Sequence, residues 1–161
     1  MKRFFLSVLS LLLLLSTSAC AAKSYADDKT TAAIADEALV NLRDGVIYRA
    51  ADESYLEDYF TSPDYASDAA IRHAMDANNL NELGVYHVPA EKVGEMKALL
   101  EGYLKDALQK NQSWYDSYIP QETPKLRDAE VKVFGNYVAY AIFDSRNRRA
   151  VFNSLEKSLT K

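Results

Sequence analysis

Residues 129–143 read AEVKVFGNYVAYAIF, which is the pattern of a strand, a tight turn and a second strand. Apolar and polar residues alternate up to Phe134, which predicts a strand over 129–134 with one face turned inward. Gly135-Asn136 then has the form of a two-residue hairpin turn in which glycine supplies a positive φ. Residues 137–143 return as the partner strand. They are the most apolar stretch beyond the first twenty residues, so we expect this strand to be central.

The segments around this hairpin supply helices and two more strands. Apolar residues recur at helical spacing in four segments: 32–43, 52–60, 90–112, and the segment capped by Asp144 or Ser145. Two further strands are predicted at 69–75 and 83–88, the second ended by Pro89. The order predicts an α+β fold, with a small antiparallel sheet of about four strands and helices packed mainly on one face.

The composition is that of an ordinary folded domain and excludes several classes of protein. A length of 161 residues allows about one domain, and 48% hydrophobic residues exclude a disordered chain. One cysteine excludes an internal disulfide framework, and no cofactor-binding motif is present. The formal net charge of -4 argues against nucleic acid as a partner.

The N-terminus has the pattern of an export signal. Lys2 and Arg3 precede an apolar run over 4–15, which is too short to be a permanent membrane span. Small residues at 16–19 follow, and then Cys20. We therefore expect a signal peptide over 1–19.

Cys20 directly after these small residues resembles a bacterial lipobox, although Thr17 stands where that motif usually has leucine. The thiol would carry a diacylglyceryl group and the freed amino group a further chain such as palmitate, and two or more chains anchor a protein stably. The alternative is ordinary cleavage near Ala19 or Ala21, with Cys20 incidental. The lipid hypothesis predicts a lipoprotein on the extracytoplasmic face of the cell membrane. Residues 20–30 would be the lipidated cysteine and a short tether, and 31–161 a single domain.

Several short motifs in the second half are shared with a known family. They begin with Leu83–Val88 running into the long helix and continue with Tyr118-Ile119-Pro120. Glu122, Leu126, Ala129 and Val131 follow, and then Gly135-Asn136-Tyr137-Val138. Over roughly residues 50–155 the chain resembles an uncharacterised domain-of-unknown-function family of bacterial lipoproteins. The resemblance implies a lipid anchor, which fits Cys20, and a fold class, but no reaction.

The two histidines suggest a weak metal site. If the turn between the strands at 69–75 and 83–88 centres near Asn79 and Leu80, His73 and His87 face each other. With an acid such as Asp76 they could hold zinc or copper. The alternative is two unrelated strand histidines.

Charged residues cluster with opposite signs in two places. Six acidic residues lie between Arg49 and Arg72. They could bind calcium through their oxygens, but they lack the fixed spacing of a calcium-binding loop, so they predict a solvated acidic face instead. Arg146, Arg148 and Arg149 lie at the start of the last helix, where the helix dipole disfavours cations. They could pair with the acidic stretch, hold an anionic envelope polymer, or be plain solvated charge.

The aromatic residues Trp114, Tyr115 and Tyr118 cluster just before Pro120. If exposed, they would stack on sugar rings or on a partner protein. If buried, they would close the core where the long helix meets the sheet, and we favour burial.

No catalytic motif occurs in the sequence, so we expect a non-enzymatic lipoprotein that binds an envelope protein or small ligand. Two alternatives stay open. One is an envelope hydrolase acting on glycan or peptide, which requires a cleft with perturbed acids. The other is a metal-handling lipoprotein centred on the histidines.

Overall fold

The hairpin predicted over residues 129–143 is present in the computed structural model, which describes residues 23–52, 54–56, 60 and 62–161. Five strands form one antiparallel sheet: β1 (Tyr48–Ala50), β2 (Asp68–Ala74), β3 (Glu82–His87), β4 (Glu130–Phe134) and β5 (Tyr137–Ile142). The described helices include α1 (Thr31–Val40), a 3-10 turn (Ala90–Lys92), α2 (Val93–Tyr118), α3 (Thr123–Arg127) and α4 (Ser145–Leu159), and residues 54–56 are also helical. The predicted α+β class with an antiparallel sheet is confirmed.

The strand order is β1-β2-β3-β5-β4, so the two most apolar strands lie inside the sheet. Gly135 has a φ of 62° and forms the β4–β5 turn, as the sequence predicts. All six residues of β5 are buried. This strand has a neighbour on each side and a helical layer above and below it, which explains its continuous apolar run.

One face of the sheet is covered by α1 and α4, which also pack on each other. Asp144 caps α4, since its carboxylate accepts hydrogen bonds from the backbone N–H groups of Arg146 and Asn147. The fully buried side chains of this layer include Ile34, Leu83, Val85, Phe143, Leu155 and Leu159.

The other face is covered by α2 and α3. Because side chains alternate along β5, Tyr137 and Ala139 turn to the first layer, whereas Val138 and Tyr140 turn to α2. The buried residues of this second layer include Tyr86, Val88, Met96, Leu100, Val138 and Tyr140.

The structure differs from the predicted fold in two details. The sheet has five strands instead of about four, because residues 48–50 pair with β2. The helices cover both faces instead of mainly one. A strand buried on one face alternates apolar and polar residues, whereas the buried positions of β3 and β5 are consecutive, and this pattern requires two covering layers.

The longest helix also differs from its predicted extent. The sequence predicts a helix over 90–112, whereas α2 continues to Tyr118. At about 1.5 Å per residue its 26 residues span roughly 39 Å, which is longer than the strands it crosses. Its last turns therefore pass beyond the sheet, and this overhang forms one wall of the site described below.

Residues 23–30, called here the N-terminal strap, lie against the domain. The backbone N–H of Ala26 donates to the carbonyl of Leu159 at 2.7 Å, and the N–H of Lys161 donates to Ser24 at 3.0 Å. The Tyr25 ring packs edge-on against Phe134 with centroids 6.0 Å apart. The predicted signal peptide and Cys20 lie outside the described residues.

Candidate functional site

A cleft of about 440 Å³ opens at the end of the sheet where β3 begins. Its walls are the overhanging end of α2, the turn between β2 and β3, and the edge strand β1. Its polar and aromatic lining includes Arg49, His73, Glu82, Tyr103, Asn111 and Trp114. The volume is within the range of small-molecule sites in proteins.

Glu82 forms the floor of the cleft, and its carboxylate accepts hydrogen bonds from three tyrosines. Only 4% of the residue is exposed. Tyr103 Oη donates to Oε1 at 3.2 Å, Tyr140 Oη also donates to Oε1, and Tyr55 Oη donates to Oε2. We call these four residues the Glu82 cluster. Hydrogen bonds to a charged acceptor are stronger than neutral ones, and they offset part of the cost of burying the carboxylate.

Gly84 makes room for this arrangement. It is the register partner of Tyr140, whose ring lies directly over the glycine. A Cβ atom at position 84 would lie 2.7 Å from Cζ and 2.8 Å from Cδ1 of that ring, and closer still to Cε1. A side chain at this position would therefore push Tyr140 away from Glu82.

The environment of the Glu82 cluster shifts the titration of two of its tyrosines, Tyr103 and Tyr140. Burial and the negative charge of Glu82 raise the pKa of Tyr103 and of Tyr140 far above the ordinary tyrosine range. Tyr86 packs beside Tyr140 with ring centroids 6.4 Å apart, and the same two causes raise the pKa of Tyr86. In the folded protein the hydroxyls of Tyr103 and Tyr140 stay protonated and donate to Glu82.

We expect stability to fall as the pH rises above about 10. The folded-state pKa of Tyr103 and of Tyr140 is raised, whereas the unfolded tyrosines ionise near pH 10. Each tyrosine therefore contributes stability that is complete below pH 10. Above it, about 1.4 kcal/mol per pH unit is lost until the folded pKa is reached.

Urea unfolding between about pH 9 and pH 11 measures this loss. Tyr103→Phe removes one titrating group, so its stability should fall less steeply, by about 1.4 kcal/mol in total between pH 9 and pH 11. An identical slope in wild type and variant would contradict the assignment.

His73 lies beside the Glu82 cluster and is held neutral. Its Nδ1–H donates to the carbonyl of Ala74 at 3.0 Å, and because that oxygen can only accept, Nε2 is the acceptor for the Arg49 Nε–H at 3.1 Å. Burial, together with the charge of Arg49, lowers the pKa of His73. The Tyr55 ring stacks on the imidazole at 4.0 Å.

The predicted pairing of the two histidines is wrong. His73 pairs with Glu82, whereas His87 pairs with Asp68 at the other end of the hairpin. The two side chains also lie on opposite faces of the sheet, and His87 contacts Asp27 and Ser67. They cannot ligate one ion. The described part of the chain contains no group of three or more His, Cys, Asp or Glu side chains placed to hold a metal.

The three arginines of α4 do not converge on a site. Arg148 pairs with Glu130 at 2.8 Å and donates to the Phe143 carbonyl at 3.1 Å, so it ties α4 to the sheet. Arg146 and Arg149 are exposed, and Arg149 reaches the Ser145 carbonyl on its own helix at 3.5 Å.

Two acids of the predicted acidic face have local structural roles. Asp52 accepts a hydrogen bond from the Tyr55 N–H at 3.0 Å, and Asp68 accepts one from the Thr31 N–H at 2.7 Å. Both carboxylates therefore hold the ends of helical segments.

The aromatic cluster lies at the rim of the cleft, and its predicted burial is wrong for two of its three members. Trp114 is 49% exposed and Tyr118 is 70% exposed, with ring centroids 5.2 Å apart. Both rings lie on the overhanging end of α2. Trp114 and Tyr115 line the cleft.

Sequence reasoning did not find Glu82, Arg49 or the tyrosines that meet at the floor. The available signal was the acid directly before the apolar residues Leu83–Tyr86, because an isolated acid in such a strand needs buried partners.

Comparisons with known proteins give a family but no activity. No curated protein and no solved structure matches the chain. Within the described residues, no helix has the length and apolar character needed to cross a membrane. Residues 49–143, more than half of the chain, match the family described as "Domain of unknown function (DUF4358)". That segment holds all five strands except for the first residue of β1, and it includes the residues of the cleft named above. The chain therefore belongs to the DUF4358 family, whose function is unknown.

Proposed function

We propose that this protein is a lipid-anchored binding protein on the extracytoplasmic face of a cell membrane, and that it is not an enzyme. Its ligand would be a small acidic sugar-like molecule held in the cleft. The observation that carries the proposal is the cleft itself, where a buried carboxylate with three hydroxyl donors forms the floor and the single tryptophan forms the rim.

The state of the titratable groups supports binding over turnover. A general acid or base needs a proton or a lone pair that it can exchange with substrate. Glu82 accepts from three hydroxyls, and both nitrogens of His73 are engaged within the protein. Using either group in a reaction would first require breaking this network.

The rim suggests the chemistry of the ligand. Trp114 presents a half-exposed ring on which a sugar could stack. Arg49 is exposed and gives its Nε–H to His73, and a guanidinium is the side chain best shaped to take a carboxylate. Asn111 supplies an amide to the same wall. A ring bearing an acidic group would use all three.

The N-terminal sequence supports the anchor. A basic start, a short apolar run and small residues precede Cys20, which fits a lipoprotein leader. A diacylated cysteine with a further N-terminal chain would bind the membrane stably. The proposed partners are thus the membrane, through the lipid, and an acidic envelope component, in the cleft.

Fluorescence of Trp114 tests the ligand proposal. N-acetylmuramic acid, a sugar with a carboxylate, should shift or quench the Trp114 emission in a saturable way, because the ring would stack on the indole. N-acetylglucosamine, which lacks the carboxylate, should bind about tenfold more weakly, the equivalent of about 1.4 kcal/mol.

Arg49→Gln is the matched variant. It should lower the affinity for the acidic sugar to that of the neutral one and leave the affinity for N-acetylglucosamine unchanged. Equal affinities of the wild type for both sugars, or no saturable change in emission, would contradict the proposal. Chemical alteration of the bound sugar would contradict its non-enzymatic part.

A further inference from the structure

The N-terminal strap is fixed at one end of the domain by contacts with several elements. Lys23 pairs with Glu156, and Lys29 Nζ donates to the Ser158 carbonyl at 2.7 Å. Two backbone hydrogen bonds join the strap to the C-terminus, through an isolated antiparallel bridge between Tyr25 and Thr160. The path of the chain into the domain is therefore set by the fold.

Further contacts show at which end of the sheet the N-terminal strap lies. Asp27 accepts a hydrogen bond from the Asn136 amide in the β4–β5 turn at 3.1 Å and lies 2.7 Å from His87 Nε2. Tyr137 Oη donates to the Lys29 carbonyl at 2.6 Å. The strap thus lies at the end where β3 finishes and β5 begins.

The cleft lies at the opposite end. Glu82 and His87 are the first and last residues of β3, so the floor of the cleft is about 17 Å from the strap end along the strand. The helix α2 starts near the strap, since Val88 N–H donates to the Asn136 carbonyl at 3.0 Å. Trp114 lies 21 residues after Val93, which is roughly 32 Å along the helix axis.

We propose that the strap end is the membrane-facing surface of this protein and that the cleft points away from the lipid. The inference rests on the lipid anchor proposed at Cys20. Only residues 21 and 22 separate Cys20 from the fixed Lys23, a stretch that spans about 10 Å at most. A tether this short holds the strap end at the bilayer surface. It leaves the floor of the cleft about 17 Å and the Trp114 rim roughly 30 Å further out.

This orientation excludes one possible source of the ligand, the membrane that holds the anchor. A cleft held away from the bilayer meets molecules of the surrounding envelope, and it cannot reach the headgroups of the membrane that carries its own anchor. The acidic ligand would therefore be a cell-wall or soluble component and not a lipid of that membrane.

The single tryptophan provides the test. The mature acylated protein is purified and reconstituted on phosphatidylcholine vesicles in which part of the lipid carries a nitroxide on its headgroup. A nitroxide quenches tryptophan only at short range. Trp114 should keep its full emission, whereas a tryptophan placed in the strap, Ser24→Trp in a Trp114→Phe background, should be strongly quenched. Lys161→Trp in the same background is a second reporter at the strap end, should the first variant fold poorly.

The outcomes separate the orientation from the anchor. Strong quenching of Trp114, or unquenched emission from both strap-end reporters on vesicle-bound protein, would overturn the orientation while the anchor stands. Failure of the acylated protein to float with the vesicles would be seen before any fluorescence is read, and it would overturn the anchor and the orientation together.

Discussion

Gly84→Ala will lower the free energy of unfolding by about 3 kcal/mol. The new methyl group would enter the space of the Tyr140 ring, which is fully buried and packs against Tyr86 and Tyr103. The ring has little room to move because its hydroxyl is bound to Glu82. Urea unfolding monitored by circular dichroism measures the loss.

Two glycines of α2 serve as matched controls. A Cβ atom on Gly94 or Gly102 would meet nothing within 4 Å, so alanine at either position should stabilise the helix by up to about 1 kcal/mol. The same substitution thus has opposite effects at different glycines. A Gly84→Ala protein as stable as the wild type would show that Tyr140 does not lie over the strand as described.

Glu82→Ala will lower the free energy of unfolding by about 4 kcal/mol. The change leaves the hydroxyls of Tyr55, Tyr103 and Tyr140 without their acceptor and creates a cavity beneath the cleft. Replacing a buried ion pair by apolar residues can be neutral, but here the substitution takes the acceptor from hydroxyls, one of which belongs to the fully buried Tyr140.

Glu82→Gln separates charge from shape. Glutamine keeps the volume of the side chain and one acceptor oxygen. The free energy of unfolding should therefore fall by about half as much as in the alanine variant. Tyr103→Phe, which removes one hydrogen bond to the carboxylate, should cost about 1.5 kcal/mol. If Glu82→Ala proved neutral or stabilising, the Glu82 cluster would not hold the floor of the cleft together.

The sequence predicts those parts of the fold that depend on local pattern. Alternation and a Gly-Asn turn located the β4–β5 hairpin, and helical periodicity located α2 and α4. From the sequence, the helices are expected mainly on one face of the sheet. The six consecutive buried residues of β5 indicate that helices cover both faces.

The cleft could not be predicted because its residues meet only through topology. Tyr55, Glu82, Tyr103 and Tyr140 come from four different segments, and no spacing within the sequence relates them. The failed histidine pair has a simpler cause. A different turn position changes the register, so that His73 faces Glu82 instead of His87.

The exposure of Trp114 depends on where α2 ends. The sequence predicts that the helix ends near Gln112 and that the aromatic residues close the core where this helix meets the sheet. Continuation of α2 to Tyr118 instead carries Trp114 past the edge of the sheet, where 49% of it is exposed. Because the helix is six residues longer than predicted, Trp114 lies at the rim of the cleft and not in the core.

The fate of Cys20 tests the proposed lipid-anchored binding protein most directly. Cells expressing the wild type, Cys20→Ala or Thr17→Leu are fed an alkyne-tagged fatty acid and then fractionated. We expect the wild type to take up the label and to pellet with membranes, and Thr17→Leu, which restores the usual lipobox residue, to behave the same way. Cys20→Ala should carry no label and leave the membrane fraction. A Cys20→Ala protein that stays with the membranes, or an unlabelled wild type released into the medium, would contradict the proposal.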